Sequence, residues 1–160
     1  MGRRSTKENK NIYQTSRENA SLTRDTASER LKFISSDRIE KIENEKSLAH
    51  PDEILAMAKA YQNPLLCNYY CSNECPIGQK YVPELELKTL SQITLEILAS
   101  LNAMEQEKNR LIEITVDGHI GLNELEDFNQ IHSQLSEISV AVDSLRLWLE
   151  TVAATGKNDS

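Results

Sequence analysis

The sequence predicts an all-α protein, a five-helix head followed by a long antiparallel helical hairpin of coiled-coil character. Gly and Pro are few, five and four in 160 residues, and aromatic residues make up 5%. Sheet proteins draw on aromatics and turn residues far more heavily. Apolar residues recur every three or four positions through most of the chain, the period of a helix with one buried face. Hydroxyl, Asn or Pro residues stand ahead of the apolar runs, where helices start.

Met1–Lys10 is charged and without periodicity, and reads as a flexible basic tail. Its Arg3, Arg4, Lys7 and Lys10 suit a basic arm that trails along phosphates or into a groove; a terminus with no role is the plainer reading. Asn11–Asn19 predicts a first short helix anchored by Ile12 and Tyr13. Thr23 caps a second over Arg24–Lys32, in which Ala27 and Leu31 share a face. Ser35 or Ser36 caps a third over Asp37–Asn44, with Ile39 and Ile42 inward. Pro51 opens a fourth, its missing N–H harmless in the first turn, with Asp52 and Glu53 at the positive end of the helix dipole. Asn63 caps and Pro64 starts a fifth, carrying Leu65, Leu66 and Tyr69. Helices this short are stable only when packed on one another, so residues 11–82 form one head.

The run Leu22-Thr23, Ala27, Leu31, Ser35-Ser36, Ile39, Ile42-Glu43 and Pro51 resembles the lambda-repressor-like (XRE/Cro type) helix-turn-helix family. The resemblance covers roughly residues 11–75, less than half the chain. It implies a sequence-specific regulator that binds double-stranded DNA as a dimer. The third helix would be the recognition helix, presenting Ser35, Ser36, Asp37, Arg38 and Lys41 to the major groove, with Arg24 on the backbone. Arg38 has the fork to grip a guanine, and Lys41 would meet phosphate. Asp37 and Glu40 oppose this, since a carboxylate near DNA is repelled unless it accepts from a cytosine amine. Two glycines of the family pattern are missing: Lys32-Phe33 occupy the turn between the helices, and Glu45 follows the recognition helix.

The net charge of −7 hides an asymmetry. Residues 1–50 hold eleven Lys and Arg against eight Asp and Glu, whereas residues 51–160 hold seven against seventeen. A mildly basic head on an acidic body suits a chain whose first part meets phosphate, although acidic helices are also simply soluble. No apolar run is long enough for a membrane span and no signal-peptide core follows the start, so a cytoplasmic location is expected. Met-Gly-Arg-Arg-Ser-Thr fits the loose myristoylation pattern, which has many chance matches.

Residues 63–78 carry Cys67, Cys71 and Cys75. Cys67 and Cys71 share a helical face, and Pro76 forces Cys75 out of helical geometry. Three thiolates would hold zinc, with His50 or a partner's residue as fourth ligand, or an iron–sulfur cluster. Two other readings compete: small hydrophobes in a core, or a reversible redox switch. From Pro83 two long helical patterns follow, Glu84–Val116 and Asn123–Ala154. Leu90, Ile93, Ile97, Leu101, Met104 and Leu111 line the first, interrupted by Lys108, and Phe128, Ile131, Leu135, Ile138, Val142, Leu145, Leu149 and Val152 line the second at three-and-four steps. These predict a dimerisation module over residues 83–155 that completes a four-helix bundle with a second copy, the alternative being a hairpin folded on its own head. Residues 156–160 read as a flexible tail.

The joint between the two helices loosely follows a twelve-residue calcium loop from Glu113 to Glu124. It also suits a plain turn, with Asn123 and Glu126 as a capping box. No catalytic constellation is visible, because His50, His119 and His132 stand in unrelated contexts and no nucleophile has a base beside it. The chain is therefore read as a non-enzyme. Two rivals to the DNA-binding regulator follow from the same residues. One is a protein-interaction module that keeps the fold without reading DNA, and the other is a metal or redox sensor built on the three thiols.

Overall fold

The computed structural model describes residues 9–156, so Arg3, Arg4 and Lys7 of the expected arm and most of the C-terminal tail lie outside the described residues. Among the described residues every regular element is helical: eight α-helices and one π-helical turn. No helix there is long and apolar enough to cross a membrane.

The short helices begin where their caps predict. Asn11 accepts from the Gln14 N–H and opens α1 (Ile12–Asn19). Thr23 and Thr26 satisfy each other's backbone N–H groups at the start of α2 (Arg24–Leu31), removing two orphan donors together. Ser35, of the two serines, caps α3 (Ser36–Glu43) by accepting from the Arg38 N–H at 3.2 Å. Pro51 starts α4 (Pro51–Ala60), where the Glu53 carboxylate takes the His50 N–H at 2.8 Å. Asn63 departs from its expected role: its side chain donates to Ser16 Oγ at 2.8 Å, tying α1 to the start of α5 (Leu65–Tyr69) instead of capping α5. The fifth helix then loosens into a π-helical turn over Tyr70–Glu74, and α6 (Gly78–Tyr81) follows.

One apolar core joins these elements, with Ala27, Ile34, Ile39, Ile54, Met57 and Leu66 almost wholly enclosed. Each large aliphatic side chain so buried contributes about 1.5–3 kcal/mol, which holds eight-residue helices that would melt alone.

The chain divides into two compact units: the residues up to Leu85 with the last turns from Glu150, and Glu86–Leu149. The first long helix begins later than expected. Val82, held extended by Pro83, and the stretch to Thr89 are not helical, and α7 runs Leu90–Thr115 behind a Thr89–Gln92 capping box. The other, α8, runs Leu125–Thr155. Within the second unit, Arg110 pairs with Asp127 at 2.7 Å. Small residues, among them Ala99, Ser100, Ser136 and Ala141, line a groove of about 460 Å³ shared by the two helices. Ile93, Ser100 and Ile114 of α7 and Ile131, Ala141 and Ser144 of α8 are buried. The expected seam therefore splits. Ile97, Met104, Phe128, Ile138 and Leu145 are half-buried, while Leu90, Leu101, Leu135, Val142 and Leu149 are exposed.

The joint is a plain turn. Asp117 accepts from the His119 N–H at 3.0 Å, Gly118 takes a positive φ of 74°, and the Glu124 carboxylate accepts from the Gly121 N–H at 2.8 Å. Glu124 thus closes the turn in the place expected for the Asn123–Glu126 box.

Candidate nucleic-acid interface and the cysteine segment

Helices α2 and α3 are joined by Lys32–Ser35. Lys32 stands at φ 61° and Glu45, just past α3, at φ 58°. Both carry a positive φ that a side chain disfavours, and at Lys32 the Phe33 N–H closes a tight turn onto the Leu31 carbonyl at 2.7 Å. Ile34 drops into the core and Ser28 Oγ donates to its carbonyl at 2.8 Å, fixing the turn. At the start of α3, Ser36 Oγ donates to Asp25 of α2 at 2.8 Å.

Two buried carboxylates organise the cations. Glu43, 1% exposed, receives Arg17 Nε at 2.5 Å and Arg17 Nη2 at 3.0 Å, and also Arg24 Nε at 2.8 Å. Arg17 further donates to the Leu22 carbonyl at 2.6 Å. α1, α2 and α3 are thereby held by one ionic network, which a buried charge requires. Glu53 holds Arg38 bidentately, at 2.8 and 2.7 Å. The same guanidinium donates to Ser47 Oγ and to the Leu48 carbonyl. That pairing holds the Glu53 carboxyl below its ordinary range against the burial that pushes it up, and raises Arg38.

The expected DNA-contact residues are therefore brought together on α2 and α3, but most are engaged within the head. Arg38 is engaged with Glu53, which also accepts from the His50 N–H, so its guanidinium is held within the head where the resemblance expects it to face a base. Arg24 serves Glu43, Ser35 caps its helix, and Ser36 is bonded to Asp25. On the exposed face of α3 stand Asp37, Glu40 and Lys41, with Lys41 paired to Asp37 at 2.7 Å, which draws the Asp37 carboxyl down. Two cations that sequence reasoning missed, Arg30 and Lys32, are exposed beside the turn, and Phe33 is 61% exposed there. The absent turn glycine was the signal that side chains replace bare backbone at this point. Lys10, the one arm cation described, pairs with Glu18 at 2.6 Å.

The three cysteines are free and half-buried. Cys67 packs against the head core, and its thiol is pushed up by burial and by neighbouring Cys71. Cys75 is extended ahead of Pro76, as expected. The expected metal set is not formed: among the described residues no three His, Cys, Asp or Glu side chains are grouped to hold an ion. This applies to Cys67, Cys71 and Cys75 as zinc or cluster ligands. His50, the suggested fourth ligand, sits exposed at the α4 cap. The segment instead clasps α1. Tyr13 Oη donates to Glu74 at 2.8 Å, and the Tyr13 and Tyr69 rings meet edge-on at 6.1 Å. Gly78 lets α6 lie against the Cys71 backbone, where an added Cβ would come within 2.0 Å of the Cys71 carbonyl oxygen.

No family model, curated protein or solved structure matches this chain.

Proposed function

We propose that the protein is a sequence-specific DNA-binding regulator of transcription that acts as a homodimer. In this reading α2 and α3 are the helix-turn-helix, and α7 and α8 an antiparallel dimerisation hairpin. The observation that carries it is the pairing of α2 with α3. Two hydroxyl-capped eight-residue helices are joined by a short fixed turn, and the second has a buried inner face and a bare outer one. An element built this way presents one helix to a groove while the other anchors it. With Arg24 and Arg38 engaged inside the head and Lys41 paired to Asp37, exposed Arg30, Lys32 and Lys46 are the cations near the two helices that would meet phosphate. So few give weak affinity per head, and two heads on one DNA molecule offset that.

The test is repeated selection from a randomised duplex library at low salt, followed by titration of the enriched sequence. A two-fold-symmetric site bound at least a hundredfold more tightly than scrambled duplex supports the regulator. Failure of any sequence to enrich removes it.

A protein-interaction module is the second reading, favoured by the acidic outer face of α3 and by exposed Phe33 beside it. Exposed carboxylates on α3 suit a basic peptide better than a phosphate backbone. In the same selection this alternative gives no enrichment.

A further inference from the structure

The two long helices each leave an apolar stripe bare, that of α7 interrupted by exposed Thr94 and Lys108, seven residues either side of Leu101. Leu90, Leu101 and Ile112 lie eleven apart on α7, and Leu135, Val142 and Leu149 seven apart on α8. Either spacing keeps a stripe on one side of a helix with about 20° of drift per step. All six are between 41% and 58% exposed. Viewed from each helix's N-terminus, the stripe lies about a quarter turn clockwise of Ile93, Ser100 and Ile114 on α7 and of Ile131, Ala141 and Ser144 on α8, with the fourth buried residue of α8, Leu147, on the side away from it. When two helices run antiparallel, the same rotation on both brings the two stripes to one side of the pair. The Arg110–Asp127 bridge sets the register, which places Leu101 level with Leu135 and Leu90 level with Leu149. The face then carries two level aliphatic pairs, and Ile112 and Val142 extend the stripes without a partner level with them in the other.

We propose that this face is the surface on which a second copy of the chain docks, face to face about a two-fold axis, to give a four-helix bundle. It rests on the antiparallel reading of α7 and α8 and gives the proposed dimer its contact surface. Three features select a second copy as occupant. Six half-exposed aliphatic residues, with half-buried Ile97, Met104, Phe128, Ile138 and Leu145 beside them, leave several hundred Å² of apolar surface. That approaches the ~800 Å² per partner of a standard interface and is large for a bare patch on a monomer. The face must be covered along two parallel stripes at once, and another hairpin of equal length presents the same two stripes in return. The cations nearest the stripes are matched within their own helices, Lys108 by Glu105 at 2.7 Å and Arg146 by Asp143 at 3.0 Å, so neither brings an unpaired positive charge to the contact.

Sedimentation equilibrium of the full chain without DNA tests this. The parent protein is expected at twice 18.1 kDa. Leu101→Glu and Val142→Glu are expected to sediment as monomers with unchanged helical circular dichroism. Leu95→Glu, exposed on the other side of α7, is expected to stay dimeric. Should the charged variants lose helix, Leu101→Ala and Val142→Ala replace them, each expected to weaken the dimer about tenfold. A parent protein that is monomeric up to its solubility limit overturns the proposal. So does a dimer whose constant none of the Leu101 and Val142 variants moves. Because no DNA is present, a chain that pairs through this face yet selects no duplex leaves the inference intact and removes only the regulator.

Discussion

Arg38 shows how one side chain changes its meaning between sequence and structure. In the sequence it is the best guanine reader on α3; in the fold it is the counter-ion that makes Glu53 tolerable at 7% exposure. Arg38→Ala is therefore expected to destabilise the head by about 2 kcal/mol in urea unfolding, because a nearly buried carboxylate is left without its partner. The same pair fixes a pH dependence. Folded Glu53 titrates below its ordinary value, chiefly through the hydrogen bonds from Arg38. The native state thus takes up that proton less readily than the unfolded chain. The stability it supplies is present above pH ~4.3 and is lost as pH falls through the lower folded value. Glu53→Gln should flatten that acid limb in parallel unfolding titrations, and an unchanged limb would exclude Glu53 as its source. Glu45, at φ 58°, carries backbone strain with a side chain exposed to solvent. Glu45→Gly is expected to raise the urea midpoint, a gain of about 0.5–1 kcal/mol after the greater freedom of glycine in the unfolded chain is set against it.

Among the elements, the cysteine segment is the most informative. Its three thiols suggest a site, but its backbone serves the fold. The π-helical turn carries Glu74 to Tyr13, and α6 lies on Cys71 through Gly78. Gly78→Ala should push α6 off that turn. The expected result is a loss of about 1–3 kcal/mol, with faster amide exchange confined to Cys71–Val82. Exchange unchanged over that stretch would show that α6 is not held by the close approach. The caps, by contrast, were legible. Thr23, Ser35 and Pro51 each start a helix where expected, because a short hydroxyl or a missing N–H acts within one turn, whereas the Thr89 cap was missed and the helix expected from Glu84.

At the scale of the molecule, the proposed regulator would owe its DNA affinity to pairing more than to any head residue. Once a duplex has been selected, Val142→Glu should bind it at least about a hundredfold more weakly while its head stays folded, since the second head loses its raised effective concentration. Equal binding by parent and variant would show that one head suffices.

What the sequence by itself determined is the all-helical class, the starts of most helices and the stripes that need burial. Each follows from local rules, caps within a turn and apolar periods of three and four. What only the tertiary structure decided is who partners whom. Arg17 with Glu43 and Arg38 with Glu53 are 26 and 15 residues apart, and no local pattern marks them, because a buried carboxylate is recognised only once its surroundings are dry. The same holds for the long helices. Periodicity drew one seam on each, whereas packing divided it into an inner edge at Ile93, Ser100 and Ile131 and an outer edge at Leu101 and Val142. That division depends on the rotation of each helix about its own axis, which spacing along a single helix leaves free and contact with its neighbour fixes.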